Sequence, residues 1–565
     1  MNQNESTIST ETDEVSLVNF PFHSQDSLSA LAGKLELSMG GFGLRLCQNF
    51  FRMQKRDPRV EELRLLDGIA KDAYCRPDTL LLSEMTTESQ VIADTFADLM
   101  TRRTRSQRAE TKPLSLAALS GLMESWLTLH DPREPSAPDI CVHFTPYRDL
   151  LLAADGYRRT ASSGNEETDI SIGIRTSKSA DEKPPLKEGD YVYAVLSSKE
   201  NDEPFLRTLA ELLTSPAANN IKTIKVAQGQ SLLSLLVDVG RGMTVDPQKI
   251  AQDGEKTLSV LTRPVFGSVF VASPERSADL LLEAQEAGLC VRRLARIVNG
   301  NTVCIVADGS VMAFPLEFLR SLTFSRLCSA TVDQPSRGAI ELSLSRIGAC
   351  TISGKRNAVV KVDSSGSSPF RAALLSVIYA LSHCVAAGAD VVNATLASRL
   401  SLPHAHMGES LSAILGLYRA QAEFALRGNA PRLMVCKEAQ VSVSAVTMAP
   451  LPDTIVSDRA SGNGTGIFYL DPLYTSDGIP DFADLKKLYG YIGALIADGK
   501  VLSIRPTGES LLTDLEEMSR DIVVEYIPDA PVPSHIGGFL VETNDNIEGI
   551  LIAKTENPDK CEGDS

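Results

Sequence analysis

The strongest constraint on this chain is a pattern in its C-terminal half: a β-branched run, a stretch of small residues, then a long apolar stripe ending at glycine. Val359-Val360-Lys361-Val362 reads as a strand and Ser364 to Ser368 as a Ser/Gly loop. Phe370, Leu374, Val377, Ile378, Leu381 and Val385 then recur at helical spacing up to Gly388. Leu411, Ile414, Leu415, Tyr418 and Ala422 make a second such stripe, closed by Gly428-Asn429. Strand-then-helix blocks build layered α/β structure, and two in series point to an internal duplication. The face carrying Phe370, Leu374, Val377, Ile378 and Leu381 is predicted to be buried.

Upstream, Leu44, Cys47, Phe50 and Phe51 share one helical face. Asp57-Pro58 reads as the start of a second helix, with Asp as N-cap and Glu61 and Glu62 in its first turn. Residues 80–130 read as polar helical material. Tyr191 to Leu196 and Val269-Phe270-Val271 are strands, with a helix from Pro274 to Ala287 and another strand from Cys290 to Val298. Asn299-Gly300 and Asp308-Gly309 are expected to be hairpin turns. Residues 1–30 have no periodicity and read as a disordered leader, and 553–565 as a disordered tail.

At 565 residues the chain is too long for one ordinary domain. Its 72 acidic against 55 basic residues give a net charge of −17, which argues against a nucleic-acid partner. The basic run Arg102, Arg103, Arg105 and Arg108 lacks interleaved aromatics and reads as a solvated helix face. No membrane span or signal peptide is read, so the expected location is the cytoplasm. The ten cysteines are scattered without any C-x-x-C and read as reduced core thiols. His404 and His406 lack a ligand set around them and read as a polar loop.

Three glycine-rich segments invite comparison with phosphate loops. Gly462-Asn463-Gly464-Thr465-Gly466 leads into the strand Ile467 to Leu470 rather than a helix, which reads as a turn. Gly40-Gly41-Phe42-Gly43 precedes a helix but follows no strand. Ser364, Ser365, Gly366 and Ser367 lie between a strand and a helix and form the candidate phosphate-binding residues, though without a P-loop Lys. No Ser–His–Asp or Cys–His set can be argued, so no catalytic residue is assigned.

Longer stretches carry a resemblance. Leu35-Glu36-Leu37-Ser38, Phe51 to Asp67, Gly309 to Leu319, Asn357 to Val362 and Pro369-Phe370-Arg371-Ala372-Ala373 resemble the phosphoribosylformylglycinamidine (FGAM) synthase family. Val385 to Asp390, Gly408, Leu415 to Gln421, Gly478 to Phe482 and Asp498 to Ser503 continue it in order. The long single-chain form, synthetase part only, is the nearer match. The resemblance implies an α+β chain: a helical linker over 31–110, then two AIR-synthase-like domains in pseudo-twofold arrangement. The first, over 135–325, is eroded, and the second covers 330–550.

The family makes FGAM from ATP, glutamine and FGAR, but its chemical residues are not matched. Its Ser-Asp-His-Cys-Arg-His type run, with an active-site histidine, stands against Lys71-Asp72-Ala73-Tyr74-Cys75-Arg76-Pro77. Its Glu-Ser-His-Asn-His-Pro segment has no counterpart between 80 and 190. Its helix-start segment is replaced by Lys225 to Leu232, its Gly-Gly-Lys-Asp run by Gly428 to Met434, and a Gly-Gly pair by Glu509-Ser510-Leu511. The resemblance therefore implies an FGAM-synthase-like protein of purine biosynthesis that is catalytically degenerate and serves as a binding or scaffold subunit. Its partner would be a full-length synthase or another purine-pathway protein. The alternative is an active ATP-dependent ligase drawing ammonia from a separate glutaminase. ATP or ADP and Mg²⁺ are expected only if the family's binding is retained.

Overall fold

The computed structural model describes residues 17–73, 79–105, 113–130, 139–143, 158–161, 171–175, 185–197, 202–251, 255–307, 309–323, 326–333, 339–352, 355–403, 406–428, 430–436, 442–451, 456–462, 464–520, 522–527 and 532–556. The chain is α+β and divides into two compact units. The first combines Met1–Cys75 with Glu182–Phe324, the second Arg76–Asp181 with Ser325–Ser565. These cuts fall inside both the 31–110 and the 135–325 segments read from sequence. The cause in the second unit is a parallel pairing of the strand Leu80–Thr87 with Arg326–Val332. That strand also corrects the reading of 80–130 as wholly helical.

In the first unit, helices Gly40–Met53 and Val60–Ala73 turn their expected faces inward. Leu44, Cys47, Phe50, Phe51, Leu63, Leu66, Ile69 and Ala70 are each at most 2% exposed. Asp57 does not cap the second helix, which begins at Val60; its carboxylate instead accepts the Asn19 amide. The leader read over 1–30 is folded from Leu17 onward: Leu17 and Phe20 are buried, and Ser24 caps a helix over Gln25–Leu35. Phe20 meets the edge of Phe51 at 6.2 Å, a tertiary contact that no local periodicity announces. Likewise, the segment read as a tail from 553 contains the end of the strand Ile550–Thr555.

The first unit's sheet runs Ser310–Pro315, Thr302–Ala307, Met243–Val245, Arg292–Ile297, Tyr191–Ser197, Pro264–Ala272, Ile221–Ser231. Thr302–Ala307 and Ser310–Pro315 pair as the expected hairpin, with Ala307 opposite Ser310, though Asp308 itself lies outside the described residues. Asn299-Gly300 does not turn a hairpin, because Met243–Val245 pairs between Arg292–Ile297 and Thr302–Ala307.

The second unit has two larger sheets. One pairs Ile340–Ile352, Lys355–Gly366, Ser442–Pro450 and Thr395–Pro403, with Arg427–Gly428 and Arg432–Cys436 along the last. Helices Pro369–Ala386 and Met407–Glu423 pack against it. Phe370, Leu374, Val377, Ile378 and Leu381 are buried as expected. Pro369–Ala386 is long and apolar enough to cross a membrane, which the sequence reading overlooked, but 83% of it is buried inside the fold, the setting of a core helix.

The other sheet runs Ser503–Pro506, Phe539–Thr543, Gly466–Leu470, Ile550–Thr555, Val524–Tyr526. Numbered along the chain, these strands have the order 2-4-1-5-3, all antiparallel. Tyr191–Ser197, Ile221–Ser231, Met243–Val245, Pro264–Ala272 and Arg292–Ile297 have that same order in the first unit. In each, strand two runs into a short helix capped by serine: Ser231 before Leu232–Val239, and Ser510 before Leu511–Met518. The two five-stranded arrangements share one topology, whereas the two strand-then-helix blocks read from sequence both belong to the second unit's other sheet. The two arrangements differ at the edge, where the first adds the hairpin Thr302–Pro315.

Candidate functional site

The serine segment singled out by sequence is not a loop. Lys355–Gly366 stays a strand through Ser364, Ser365 and Gly366, paired on both sides: Ser365 lies opposite Glu341 and Ser442. Ser364 Oγ donates inward to the Ala372 carbonyl at 3.1 Å, and the Ser367 amide donates to Ala339 O at 3.0 Å. At Gly366, with φ of 140°, a Cβ would stand 2.3 Å from Ala339 O. The glycine thus lets two backbones touch and opens no phosphate cradle. Serine runs suit turns, and that local preference hid a central strand.

Of the other two glycine-rich segments, Gly40 to Gly43 lies within the helix Gly40–Met53. The segment from Gly462 has Asn463 outside the described residues, and leads into the strand Gly466–Leu470 as read. His404 also lies outside the described residues. His406 precedes the helix Met407–Glu423, its Nδ1 3.6 Å from Glu409. Arg102 is not simply solvated: it sits over the Tyr418 ring at 4.9 Å and pairs with Asp98.

Three charged groups that sequence reasoning passed over stand where the chemistry was sought. The first is Asp72, within the segment aligned to the histidine run. Its Oδ2 accepts the Ser231 amide at 2.8 Å, Ser231 Oγ at 2.5 Å and Ser234 Oγ at 2.5 Å. Asp72 is 9% exposed. A carboxylate at a helix start satisfies free N–H groups and complements the helix dipole. Here it stands at the start of Leu232–Val239: Ser231 Oγ caps the Ser234 amide, and Asp72 takes the Ser231 amide and both serine hydroxyls. Replacing Asp72 with Ala should cost about 2–4 kcal/mol, since three donors lose their acceptor. Urea unfolding measures this; an unchanged midpoint would refute the cap's importance.

The second group is Glu542, fully buried beneath the turn that starts at Ser461. It accepts Ser461 Oγ at 2.7 Å, the Ser461 amide at 2.9 Å, Thr465 Oγ1 at 2.6 Å and Ser503 Oγ at 2.7 Å. Burial pushes its carboxyl up, but the hydroxyls of Thr465, Ser503 and Ser461 and the Ser461 amide outweigh this and hold it below the usual range. The turn that sequence compared with a phosphate loop receives an anion after all, and it is the chain's own.

The third is Arg505, on the strand Ser503–Pro506. It pairs with Glu517, and lies 3.8 Å from Asp514 and 3.9 Å from Asp458. Asp514 accepts the Gly508 amide at 2.7 Å. Tyr379 lies against this group, with its OH 3.6 Å from where a Gly508 Cβ would stand. Tyr379 meets the ring of His383 edge-on at 4.6 Å. His383 is buried, with Nε2 unpartnered among the described residues. Burial, then the Arg505 charge, push its pKa down to about 3, so the ring is neutral.

Burial lifts Asp514 to about 6 against the Gly508 hydrogen bond and the Arg505 charge. A raised carboxyl pKa means the folded state holds its proton more tightly, so this contribution declines as pH rises from 3.8 to about 6. Asp514→Asn keeps an acceptor for Gly508 but cannot ionise. It should gain stability relative to wild type between about pH 4 and about pH 6, read from urea midpoints. A constant difference across that range would contradict it.

No protein-family model and no curated protein matches the chain. Solved structures do. PurL of T. maritima complexed with ADP is 11% identical, with a TM-score of 0.51, covering 91% of this chain and 100% of that one. The chain has the fold of PurL. The AMPPCP complex of PurL gives 11% identity and a TM-score of 0.51 over 89% of this chain and 97% of that one. The FGAR complex gives 12% identity and 0.50 over 78% and 86%. At these identities the likeness to PurL is one of fold. It agrees with the α+β, AIR-synthase-like architecture that the resemblance implied.

Proposed function

We propose that this PurL-like chain is a purine-pathway protein that no longer makes FGAM, and acts in the cytoplasm as a binding or scaffold subunit. Its partner on this reading is a full-length synthase or another purine-pathway protein. The observation that carries the reading is Asp72. In the resemblance, the segment holding the synthase's active-site histidine and the helix-start segment at Lys225 to Leu232 belong to its chemical machinery. Here the two are tied together by a buried carboxylate, which sits at the helix start against the Ser231 amide and the Ser231 and Ser234 hydroxyls, where an anion would otherwise bind. Glu542 and Arg505 have the same character: each is a charge of the chain satisfied by the chain.

Phosphoryl transfer from ATP requires Mg²⁺ held by carboxylates and donors aimed at the developing charge. Among the described residues no three His, Cys, Asp or Glu side chains are grouped to hold a metal ion. Asp514 and Glu517 both face the Arg505 guanidinium, which repels a second cation. These residues do not fit a magnesium–nucleotide complex.

The test is purified protein with FGAR, ATP, Mg²⁺ and ammonia. ADP release that depends on FGAR would overturn the degenerate reading in favour of an active ligase served by a separate glutaminase. Absence of FGAR-dependent turnover, with a partner captured by affinity purification from purine-starved cells, supports it.

A further inference from the structure

Asn299-Gly300 connects Arg292–Ile297 to Thr302–Ala307, and the connection is fastened to the residue that leads into the strand between them. The Val298 amide donates to Gly242 O at 3.0 Å, and the Gly242 amide donates to Gly300 O at 3.2 Å. The fit is close: a Cβ on Gly242 would stand 2.5 Å from Gly300 O. These two bonds clasp the connection to the entry of Met243–Val245, whose ladders run to both of the strands it joins.

Between the clasping groups the two residues are exposed to solvent. Asn299 Nδ2 donates to the exposed carboxylate of Glu188. The Gly300 amide donates no hydrogen bond among the described residues. A Cβ on Gly300 would meet nothing within 4 Å, so the glycine stands in the open. Asparagine before glycine is the pairing in which a main-chain nitrogen most readily attacks the side-chain carbonyl, because the following residue has no Cβ to obstruct it. Here that nitrogen is neither committed to a partner nor shielded by a neighbour.

We propose that Asn299 is a site of spontaneous deamidation in the folded chain, and that the product loosens the clasp on Gly242. The Gly300 nitrogen attacks Asn299 Cγ, so that an N–Cγ bond forms and the Cγ–Nδ2 bond breaks. The proton lost from the Gly300 nitrogen leaves with Nδ2 as ammonia, and a succinimide ring remains. Water then opens the ring at either carbonyl, giving an aspartate or an isoaspartate at position 299. Either product sets a carboxylate where Nδ2 met Glu188, so a hydrogen bond becomes a repulsion between like charges. The isoaspartate also carries the former Cβ in its main chain, which displaces Gly300 O from the Gly242 amide. The site is independent of ligase activity, because it uses none of the residues at Asp72, Glu542 or Arg505.

The test ages the full chain in mildly alkaline buffer beside a sample unfolded in urea, followed by tryptic mapping. The peptide from Ile297 to Arg320 should become about 1 Da heavier, with fragmentation placing the change at Asn299 rather than Asn301. In the folded sample this should run no more than about tenfold slower than in urea, since only a local rearrangement is needed. Modification confined to the urea sample would mean that the fold protects Asn299, and would overturn the assignment. Asn299→Asp reproduces the aspartate product and should lower the urea midpoint. That loss should shrink in the Glu188→Gln background, where the facing group is neutral. An unchanged midpoint, or an equal loss in both backgrounds, would overturn the loosening of the clasp. Should Asn299→Asp fail to fold, aged wild-type chain separated from fresh chain by ion exchange gives the same comparison of midpoints.

Discussion

Glu542→Gln should be among the most damaging conservative substitutions in this protein. The side chain keeps its size, but its amide presents two N–H donors to a shell made entirely of donors: the Ser461 amide and hydroxyl, Thr465 Oγ1 and Ser503 Oγ. Breaking a buried, fully hydrogen-bonded charge in this way costs about 3–5 kcal/mol. The pH dependence carries a sign. The folded carboxyl is held below its ordinary 4.5, so its contribution is complete above that value and is lost as pH falls through the folded pKa. The gap between wild type and Glu542→Gln in urea should therefore be widest near neutrality and shrink in acid. Equal midpoints at neutral pH would show that the four donors find water or each other at no cost.

Gly416→Ala should destabilise the second unit, against the sign that helix propensity gives. In an open helix the substitution gains about 1 kcal/mol. Gly416 lies in Met407–Glu423, where a Cβ would stand 2.2 Å from the Phe370 carbonyl oxygen and 3.1 Å from the Ala373 Cβ. The missing side chain is what lets this helix approach Pro369–Ala386. Forcing them apart should cost about 2–4 kcal/mol, near the upper end for an overpacked core. Gly493 in Phe482–Ala497 is the internal control, since nothing lies within 4 Å of a Cβ there. Gly493→Ala should stabilise by about 0.5–1 kcal/mol. Two substitutions of the same sign in thermal melts would mean the helix crossing is not what fixes Gly416.

These effects show why the scaffold was readable and the charged sites were not. The stripe from Phe370 to Leu381 and the faces of Gly40–Met53 and Val60–Ala73 are periodic, and burial follows the period because a helix can hide only one side. The resemblance, carried by such scaffold segments, led to the PurL fold. Local signals failed where a distant strand overruled them. The serines before Pro369 favour a turn, yet Ile340–Ile352 and Ser442–Pro450 pair them into a sheet. Asn299-Gly300 favours a hairpin, yet Met243–Val245 lies between the strands it would join.

The sequence by itself determined the helices with clean apolar faces, since each depends on residues a few positions apart. Only the tertiary structure decided which charges meet. Asp72 with Ser231, Glu542 with Ser461 and Arg505 with Asp458 are far apart along the chain. Hydrogen bonds and ion pairs act over a few ångströms and carry no periodic signature. Whether a carboxylate is a ligand socket or a buried cap is therefore settled by what folding brings to it.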